Sequence, residues 1–367
     1  MSTKPSISRR NFLQLAALGM SSVYLTPLTR GLGLAEFPKY ERLGRVCVGK
    51  VNVKARPDEN SQNVGVLYED AVVPWLSEAV GPKPYYYTQR WVQTPDGYIY
   101  SPDVQPVRNI PNQPLGSLPQ LISGGGMWAE VTVPYAETIL VNSPSSNSWV
   151  KARMDEGLLV RVYYGQVFFV DQIQVDPQGQ VLYRVNPNYY GGVDMLWVPA
   201  EAMRLITAEE IAPISLEIED KRIVIDVTRQ CLSCFEGNSE VFFCRVSTGA
   251  KYDASGNLVD KWSTPVGKHR VSRKFITLQM SGGTTGASYD LPGIGWTSIF
   301  VTGGVAIHAT IWHNDFGTPR SHGCVNCLPE DAKWIFRWIQ PAVAYDPGML
   351  DVTLTGESST PVEVIES

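Results

Sequence analysis

The sequence has little charge and few histidines. Charged residues make up 18% of the 367 residues, hydrophobic residues make up 44%, and only four residues are histidine. An average globular domain is about 25% charged, and disordered chains and long coiled coils carry more charge still, so both of these classes are excluded. The formal net charge of -5 also lacks the basic excess that sequence-independent binding to phosphate backbones needs. We therefore expect a folded protein that does not bind nucleic acid.

Long hydrophobic runs are absent as well. The apolar N-terminal stretch, residues 12–25, is interrupted by polar residues and falls short of the roughly 20 residues that a transmembrane helix needs. It follows Arg9 and Arg10, and the order S-R-R-x-F-L resembles a twin-arginine signal. We predict that residues 1–35 are an export signal, that the protein has no stable membrane span, and that it acts in the cell wall or periplasm. An amphipathic start of a cytoplasmic protein is the alternative.

Turn formers and aromatic residues are plentiful instead. The chain has 32 Gly, 26 Pro, 17 Tyr and 10 Trp, a composition that favours short strands joined by turns, so we predict a mainly β protein. Residues 40–110 contain the segment VNVKARPDENSQNVGVL, which resembles the first strands of bacterial SH3-like modules, and residues 125–206 repeat the pattern in diverged form. We predict two small SH3-like β-barrel modules, whose aromatic residues either bind glycan or peptide or belong to the barrel cores.

Residues 214–355 form the third predicted unit. Two alternating strands meet at a turn over Gly237-Asn238, and a two-residue turn there would place Cys231 opposite Cys244, within reach of a disulfide. A longer turn would shift that register. Further along, apolar residues recur with helical spacing after Pro329, which predicts an amphipathic helix with this proline in its first turn.

The residues that can carry chemistry are concentrated in one window. Three of the four histidines, His308, His313 and His322, lie there together with Cys324, in a segment that includes the string S-H-G-C-V-N. A thiol near a helix N-terminus and beside imidazoles should have a lowered pKa, and the thiolate is the reactive form. Gly323 should let the backbone approach closely and leave N–H groups free to bind an oxyanion. These residues predict acyl transfer through a cysteine.

The same residues resemble a known family. A histidine, a spacer and the string S-H-G-C-V-N resemble the L,D-transpeptidase family (the YkuD-type catalytic domain), and the resemblance extends over residues 214–355, including the strings V-S-T-G and T-P-x-G. It implies a β-sandwich catalytic domain in which Cys324 is the nucleophile, His308 is the general base and the Ala309 carbonyl orients the imidazole. It implies no cofactor and no metal.

The resemblance also implies where the substrate binds. His322, Gly323 and Asn326 would shape the oxyanion site and the catalytic loop, the name used below for the string S-H-G-C-V-N at residues 321–326. The residues implied to contact the substrate are Tyr289, Ser321, Asn326 and Trp296. The substrate would be the peptidoglycan stem peptide, with a tetrapeptide as acyl donor and an amine as acceptor, and the product would be a 3→3 cross-link.

Other interpretations stay open. Water as the acceptor would make the protein an L,D-carboxypeptidase on the same peptides. The histidines and cysteines of the window, including Cys327, have donor atoms that can bind zinc. Cys324 could instead be a buried, unreactive cysteine of a β domain. In a further alternative, the SH3-like modules bind wall peptide and the C-terminal domain has lost activity and acts as a non-catalytic adaptor. The sequence leaves the acceptor, the third residue of the stem peptide and the oligomeric state open.

Overall fold

The computed structural model describes residues 33–367 except residues 85, 142–144, 146, 192–193, 252–256, 259–261 and 283–288. The predicted export signal therefore lies outside the described residues up to residue 32. The described chain is mainly β, as predicted. Within these ranges every helix is too short or too polar to cross a bilayer.

The first unit is a small β structure. Its strands are β1 (Leu43–Val46), β2 (Lys50–Lys54), β3 (Asn63–Tyr68), β4 (Val72–Pro74), β5 (Ser77–Val80), β6 (Arg90–Thr94), β7 (Gly97–Tyr100) and β8 (Val104–Val107). They form two sheets, with the orders β4-β1-β8 and β3-β2-β7-β6-β5. Val51 and Val53 of β2 are buried on either side of the exposed Asn52, as the period of a strand requires.

The second unit has a larger sheet. Its elements are β9 (Gln120–Leu121), β10 (Gly124–Gly125), β11 (Met127–Val131), β12 (Tyr135–Glu137), β13 (Ile139–Leu140), α1 (Ser148–Asp155), β14 (Arg161–Tyr163), β15 (Val167–Val175), β16 (Val181–Val185), β17 (Leu196–Pro199) and β18 (Met203–Leu205). The sheet has the order β13-β17-β16-β15-β11-β18. Both predicted β units are thus made mainly of strands, and their likeness to SH3-like modules stays a prediction.

The third unit contains two five-stranded sheets. The first has the order β21-β20-β19-β28-β22 and the second the order β26-β25-β24-β23-β27. The elements are β19 (Lys221–Asp226), β20 (Cys231–Glu236), β21 (Ser239–Arg245), β22 (Gly267–Arg270), β23 (Arg273–Gly282), β24 (Tyr289–Val301), β25 (Val305–Ala309), β26 (Val325–Cys327), α2 (Pro329–Trp338), β27 (Met349–Asp351), α3 (Val352–Thr355) and β28 (Pro361–Ile365).

The main hydrophobic core of the third unit lies between its two sheets. Ile223 and Val362 of the first sheet and Trp296 and Ile307 of the second belong to one buried cluster, together with Phe336 of α2. This packing agrees with the predicted β-sandwich. The predicted amphipathic helix is confirmed, since α2 begins at the predicted proline and buries its apolar side.

The predicted pairing of Cys231 with Cys244 is wrong. Strands β20 and β21 do meet at the predicted two-residue turn, with Glu236 opposite Ser239. A β-bulge then shifts the register by one residue, so Cys231 lies opposite Arg245. A one-residue shift sends side chains to opposite faces of a sheet, and both cysteines are free.

Buried ion pairs connect the first and second units. Asp70 of the first unit accepts hydrogen bonds from Arg45 (2.9 Å) and from Arg161 of the second unit (2.9 Å). Asp70 and Arg45 are almost fully buried. Removing one partner of such a network would leave an uncompensated buried charge, so this contact fixes the two units against each other.

Candidate active site

The predicted catalytic pair lies on one face of the second sheet. Strand β25 runs parallel to β26, with His308 opposite Asn326. Cys324 lies two residues before Asn326, and side chains two residues apart on an extended chain point the same way. Cys324 and His308 are therefore diagonal neighbours, about 8 Å apart at Cα from the spacing and rise of strands. A cysteine and a histidine side chain can together span that distance.

The two faces of this strand pair have different environments. Ile307, Ala309, Val325 and Cys327 point into the main core of the sandwich. Cys324 instead packs against a smaller apolar cluster that contains Ala306, and Trp312 packs on the same cluster. The Trp312 ring lies 5.8 Å from the His308 ring, centroid to centroid.

Two distant sequence strings hold the catalytic loop. Thr264, from the string T-P-x-G, donates a hydrogen bond to the Gly323 carbonyl (2.7 Å) and accepts one from the Gly249 N–H (2.9 Å). The Ser321 N–H donates to the Thr248 carbonyl (3.0 Å), which belongs to the string V-S-T-G. These strings lie far apart in the sequence, and the fold uses them to fix the backbone on both sides of His322.

The backbone of Gly323 has a conformation that favours glycine, and its N–H is engaged within the loop. Its φ is 120°, a conformation that residues with a Cβ rarely adopt. Its N–H donates to the Ser321 hydroxyl oxygen (3.1 Å), and this hydroxyl donates in turn to the Cys324 carbonyl. The Gly323 N–H is thus already engaged by the Ser321 hydroxyl, and the binding of an oxyanion by the N–H groups adjacent to Gly323 stays a prediction.

His308 is held as a neutral base. Its Nδ1 lies 2.8 Å from the Ala309 carbonyl oxygen, and since a carbonyl only accepts, Nδ1 carries the proton and Nε2 keeps its lone pair. Burial lowers the pKa of His308 to about 4, and the hydrogen bond to Ala309 opposes this shift only in part. The contact predicted for the Ala309 carbonyl is present.

The thiol of Cys324 is also neutral, contrary to the expected lowering of its pKa. Burial raises the pKa of Cys324 to about 11, and a hydrogen bond with the Ala306 backbone opposes this shift only in part. The helix dipole does not help, because β26 separates Cys324 from the start of α2 at Pro329 by roughly 16 Å of extended chain, and the dipole acts within a turn of the helix end. The resting pair is a thiol and a neutral imidazole.

A family match coincides with this geometry. Residues 220–364 match the YkuD model, the L,D-transpeptidase catalytic domain. The matched segment covers about two fifths of the chain, and both Cys324 and His308 lie inside it. No curated protein matches the chain.

Several solved structures are similar to part of the chain. They include the Ldtfm-avibactam carbamoyl enzyme (23% identity, covering 41% of this chain and 50% of that chain, TM-score 0.30). A mutant of Enterococcus faecium L,D-transpeptidase is 22% identical, and the match covers 40% of this chain and 50% of that chain with a TM-score of 0.30. The L,D-transpeptidase from Mycobacterium smegmatis is 16% identical, and the match covers 55% of this chain and 89% of that chain, also with a TM-score of 0.30. The chain spans about half the length of the first two.

The remaining predicted site residues of the matched segment lie in different places. His322 packs edge-on against Trp262, with ring centroids 4.4 Å apart. Tyr289 is the first residue of β24, opposite Gly282, and its side chain lies outside the described part of the structure. Trp296 is buried in the main core and packs against α2, so the fold does not bring it together with Cys324.

Two predicted substrate contacts are buried. Ser321 is 7% exposed and Asn326 is 1% exposed. The Ser321 hydroxyl closes the catalytic loop, and the Asn326 side chain lies 2.9 Å from Nε2 of His313. Both residues are therefore placed to hold the loop, and their role as substrate contacts stays a prediction.

His313 is the residue whose position the sequence did not reveal. It appeared only as one donor among several in the window, whereas the fold buries it between the catalytic loop and the first unit. It also lines an open cleft of about 980 Å³ between the first unit and the start of α2, and Cys324 does not line this cleft. The contact that identifies it joins His313 to Asn326 at 2.9 Å, and no local sequence pattern marks that contact.

The geometry does not favour the zinc alternative. Cys324 and Cys327 face opposite sides of the sheet, and His308 points its Nδ1 at a carbonyl. Across the described ranges, no three His, Cys, Asp or Glu side chains are grouped so that they could hold a metal ion.

Proposed function

We propose that this protein is an exported cysteine L,D-transpeptidase that forms 3→3 cross-links in peptidoglycan through an acyl-enzyme on Cys324. The observation that carries the proposal is the placement of Cys324 and His308 on one face of the β25–β26 pair, with Nδ1 of His308 engaged by Ala309. This arrangement leaves the Nε2 lone pair as the proton acceptor for a thiol. The family match over residues 220–364 supports the reaction class.

The proposed reaction begins with a neutral pair. As the Cys324 sulfur attacks the carbonyl carbon of the third residue of the stem peptide, its proton moves to Nε2 of His308. The tetrahedral intermediate then collapses, the bond to the D-alanine nitrogen breaks, and the imidazolium returns the proton to that leaving amine. A thioester on Cys324 and free D-alanine result.

The second half of the reaction restores the enzyme. An amine of a neighbouring stem peptide attacks the thioester carbonyl and gives one proton to His308. The carbon–sulfur bond breaks, the sulfur takes the proton from the imidazolium, and the new amide is the cross-link. With water in place of the amine, the same steps give a tripeptide, which is the L,D-carboxypeptidase alternative.

A product analysis tests the proposal. Purified disaccharide tetrapeptide is incubated with the full chain and the products are weighed. We expect a cross-linked dimer and released D-alanine; a tripeptide alone would mean the carboxypeptidase, and unchanged substrate would mean the non-catalytic adaptor. Cys324→Ala is the control and must give unchanged substrate.

A covalent inhibitor provides a second test. One of the similar solved structures is a complex with imipenem, and we expect the same compound to acylate Cys324 here. Intact-mass spectrometry should find the mass of one imipenem added to the wild-type protein and none added to Cys324→Ala. A wild-type protein that stays unmodified while a related enzyme is labelled in the same tube would contradict the proposed chemistry.

A further inference from the structure

The loop between the two catalytic residues, residues 310–320, packs against the first unit of the chain. The Asn314 N–H donates to the Pro102 carbonyl (2.9 Å), and the Asn314 amide donates to the Ser101 hydroxyl (3.1 Å). The Arg45 guanidinium donates to the Ile311 carbonyl (2.8 Å). Hydrogen bonds from a separate β unit therefore hold the segment that joins His308 to the catalytic loop.

One chain of hydrogen bonds continues from this contact into the active site. The Thr88 hydroxyl of the first unit donates to the Asp315 carboxylate (2.8 Å). The Asp315 N–H donates to Nδ1 of His313 (3.1 Å), and Nε2 of His313 lies 2.9 Å from the Asn326 amide. Asn326 lies directly opposite His308 and two residues after Cys324.

The tautomer of His313 decides the direction of the last hydrogen bond. Nδ1 of His313 accepts from the Asp315 N–H, so in the neutral ring Nε2 carries the proton and must donate. The Asn326 amide nitrogen faces Nε2, and the amide oxygen has no hydrogen-bond partner among the described residues, so we assign the amide the reverse orientation, in which its oxygen accepts from Nε2. Burial holds the pKa of His313 well below its usual value, so the ring stays neutral near pH 7. Each of these four side chains, from Thr88 to Asn326, is at most 9% exposed.

We propose that Thr88 is a positioning residue for the active site and that the first β unit is a working part of the catalytic machinery rather than only a wall-binding attachment. Thr88 touches neither Cys324 nor His308. It acts through Asp315 and His313 on Asn326, and so fixes β26 against β25. Packed strands linked by buried hydrogen bonds transmit small displacements because a close-packed interior has little room to absorb them.

The test compares three variants of the full chain. Thr88→Val removes the hydroxyl and keeps the shape, Thr88→Ser keeps the hydroxyl, and Thr94→Val is the matched control. Thr94 is a buried threonine of the same unit whose hydroxyl bonds only within its own hairpin, to Gly97 and Asp96. Two readouts are taken: amide hydrogen exchange over residues 310–327, and kcat and KM with the tetrapeptide.

We expect Thr88→Val to speed exchange over residues 310–327 and to lower kcat by about threefold to thirtyfold, with KM unchanged because the substrate contacts remain. Thr88→Ser should restore both readouts, and Thr94→Val should alter neither. If Thr88→Val behaves like Thr94→Val, or if exchange increases while kcat is unaffected, the inference is overturned.

The kcat readout rests on the proposed function, whereas the exchange readout does not. If the wild-type protein fails to turn over the tetrapeptide, the proposed function fails and the exchange comparison alone decides the inference. If Thr88→Val does not fold, Ser101→Ala replaces it. Ser101→Ala removes the hydroxyl oxygen that accepts a hydrogen bond from the Asn314 amide. It should likewise speed exchange over residues 310–327 and lower kcat, and no change in either readout would overturn the inference.

Discussion

Strand β26 presents two cysteines, Cys324 just before it and Cys327 at its end, to opposite faces of one sheet. Cys327 lies in the main core, fully buried, and its thiol contacts Cys244, which together with burial keeps its pKa well above the usual value. Cys324 lies on the face that also carries His308. Reactivity here is expected to follow from the face of the strand and not from the residue type, because both thiols are neutral and only Cys324 lies on the face that carries a base.

The largest effect should come from removing the thiol on the His308 face. Cys324→Ala is expected to lower transpeptidation by roughly a thousandfold or more, since no other group can form the thioester. Cys327→Ala is the matched variant on the core face and should keep activity within about threefold. Dimer formation from the tetrapeptide, followed by mass spectrometry, measures both. Comparable losses in the two variants would break the distinction between the faces.

Removing the base should have the next largest effect. His308→Ala is expected to lower kcat by roughly a hundredfold to ten-thousandfold, because a thiol whose pKa is about 11 needs a proton acceptor during attack. His322→Ala, on the catalytic loop, should lower kcat by less than about tenfold. Steady-state kinetics of both variants show which of the two histidines is the general base. A greater loss in His322→Ala would reassign the base, although the nucleophile would stand.

The pKa of His308 predicts a pH dependence of stability. Its folded pKa of about 4 lies below the usual 6.5, so the unfolded chain binds this proton more tightly. The stability that the neutral ring contributes is complete above pH 6.5 and is lost as the pH falls from 6.5 through 4, by at most about 3 kcal/mol. Urea unfolding of the wild type and of His308→Gln measures this, and the variant should lose less stability over that range. If the free energy of unfolding fell equally with pH in the wild type and in His308→Gln, His308 would not be buried as a neutral ring.

The smallest effect concerns the core face. Cys327→Ser buries a hydroxyl among apolar side chains and should lower the free energy of unfolding by about 1–3 kcal/mol. Cys324 is partly exposed as a residue, although the protein around its sulfur desolvates the thiol, so Cys324→Ser should lower the free energy of unfolding by less than about 1 kcal/mol. Chemical denaturation measures the free energy of unfolding of both variants. Equal losses of stability would contradict the assignment of Cys327 to the core face and Cys324 to the His308 face.

The parts of the fold that the sequence predicted were those with local signals. The helix after Pro329 and the turn over Gly237-Asn238 follow from spacing and turn chemistry, and both are present. The bulge in β21 has no such signal, because Val241 and its neighbours are ordinary strand residues. That one extra residue separated Cys231 from Cys244.

The parts of the site that the sequence predicted were those contained in the motif. Cys324, His308 and the Ala309 carbonyl have the arrangement that the string S-H-G-C-V-N and its histidine imply. The direction of the thiol pKa could not be predicted, because burial depends on contacts between distant residues. The path from Thr88 to Asn326 joins residues more than two hundred positions apart, and no local pattern marks it.

The last strand of the chain has a consequence for synthesis on the ribosome. Strand β28 lies inside the first sheet, between β19 and β22, although about 135 residues separate it from β19. At about 5–20 residues per second, β19 waits on the order of ten seconds for this partner. During that time the edge of β19 is unpaired and open to pairing with other chains, so the first sheet of the third unit stays incomplete until Ile365 has been synthesised.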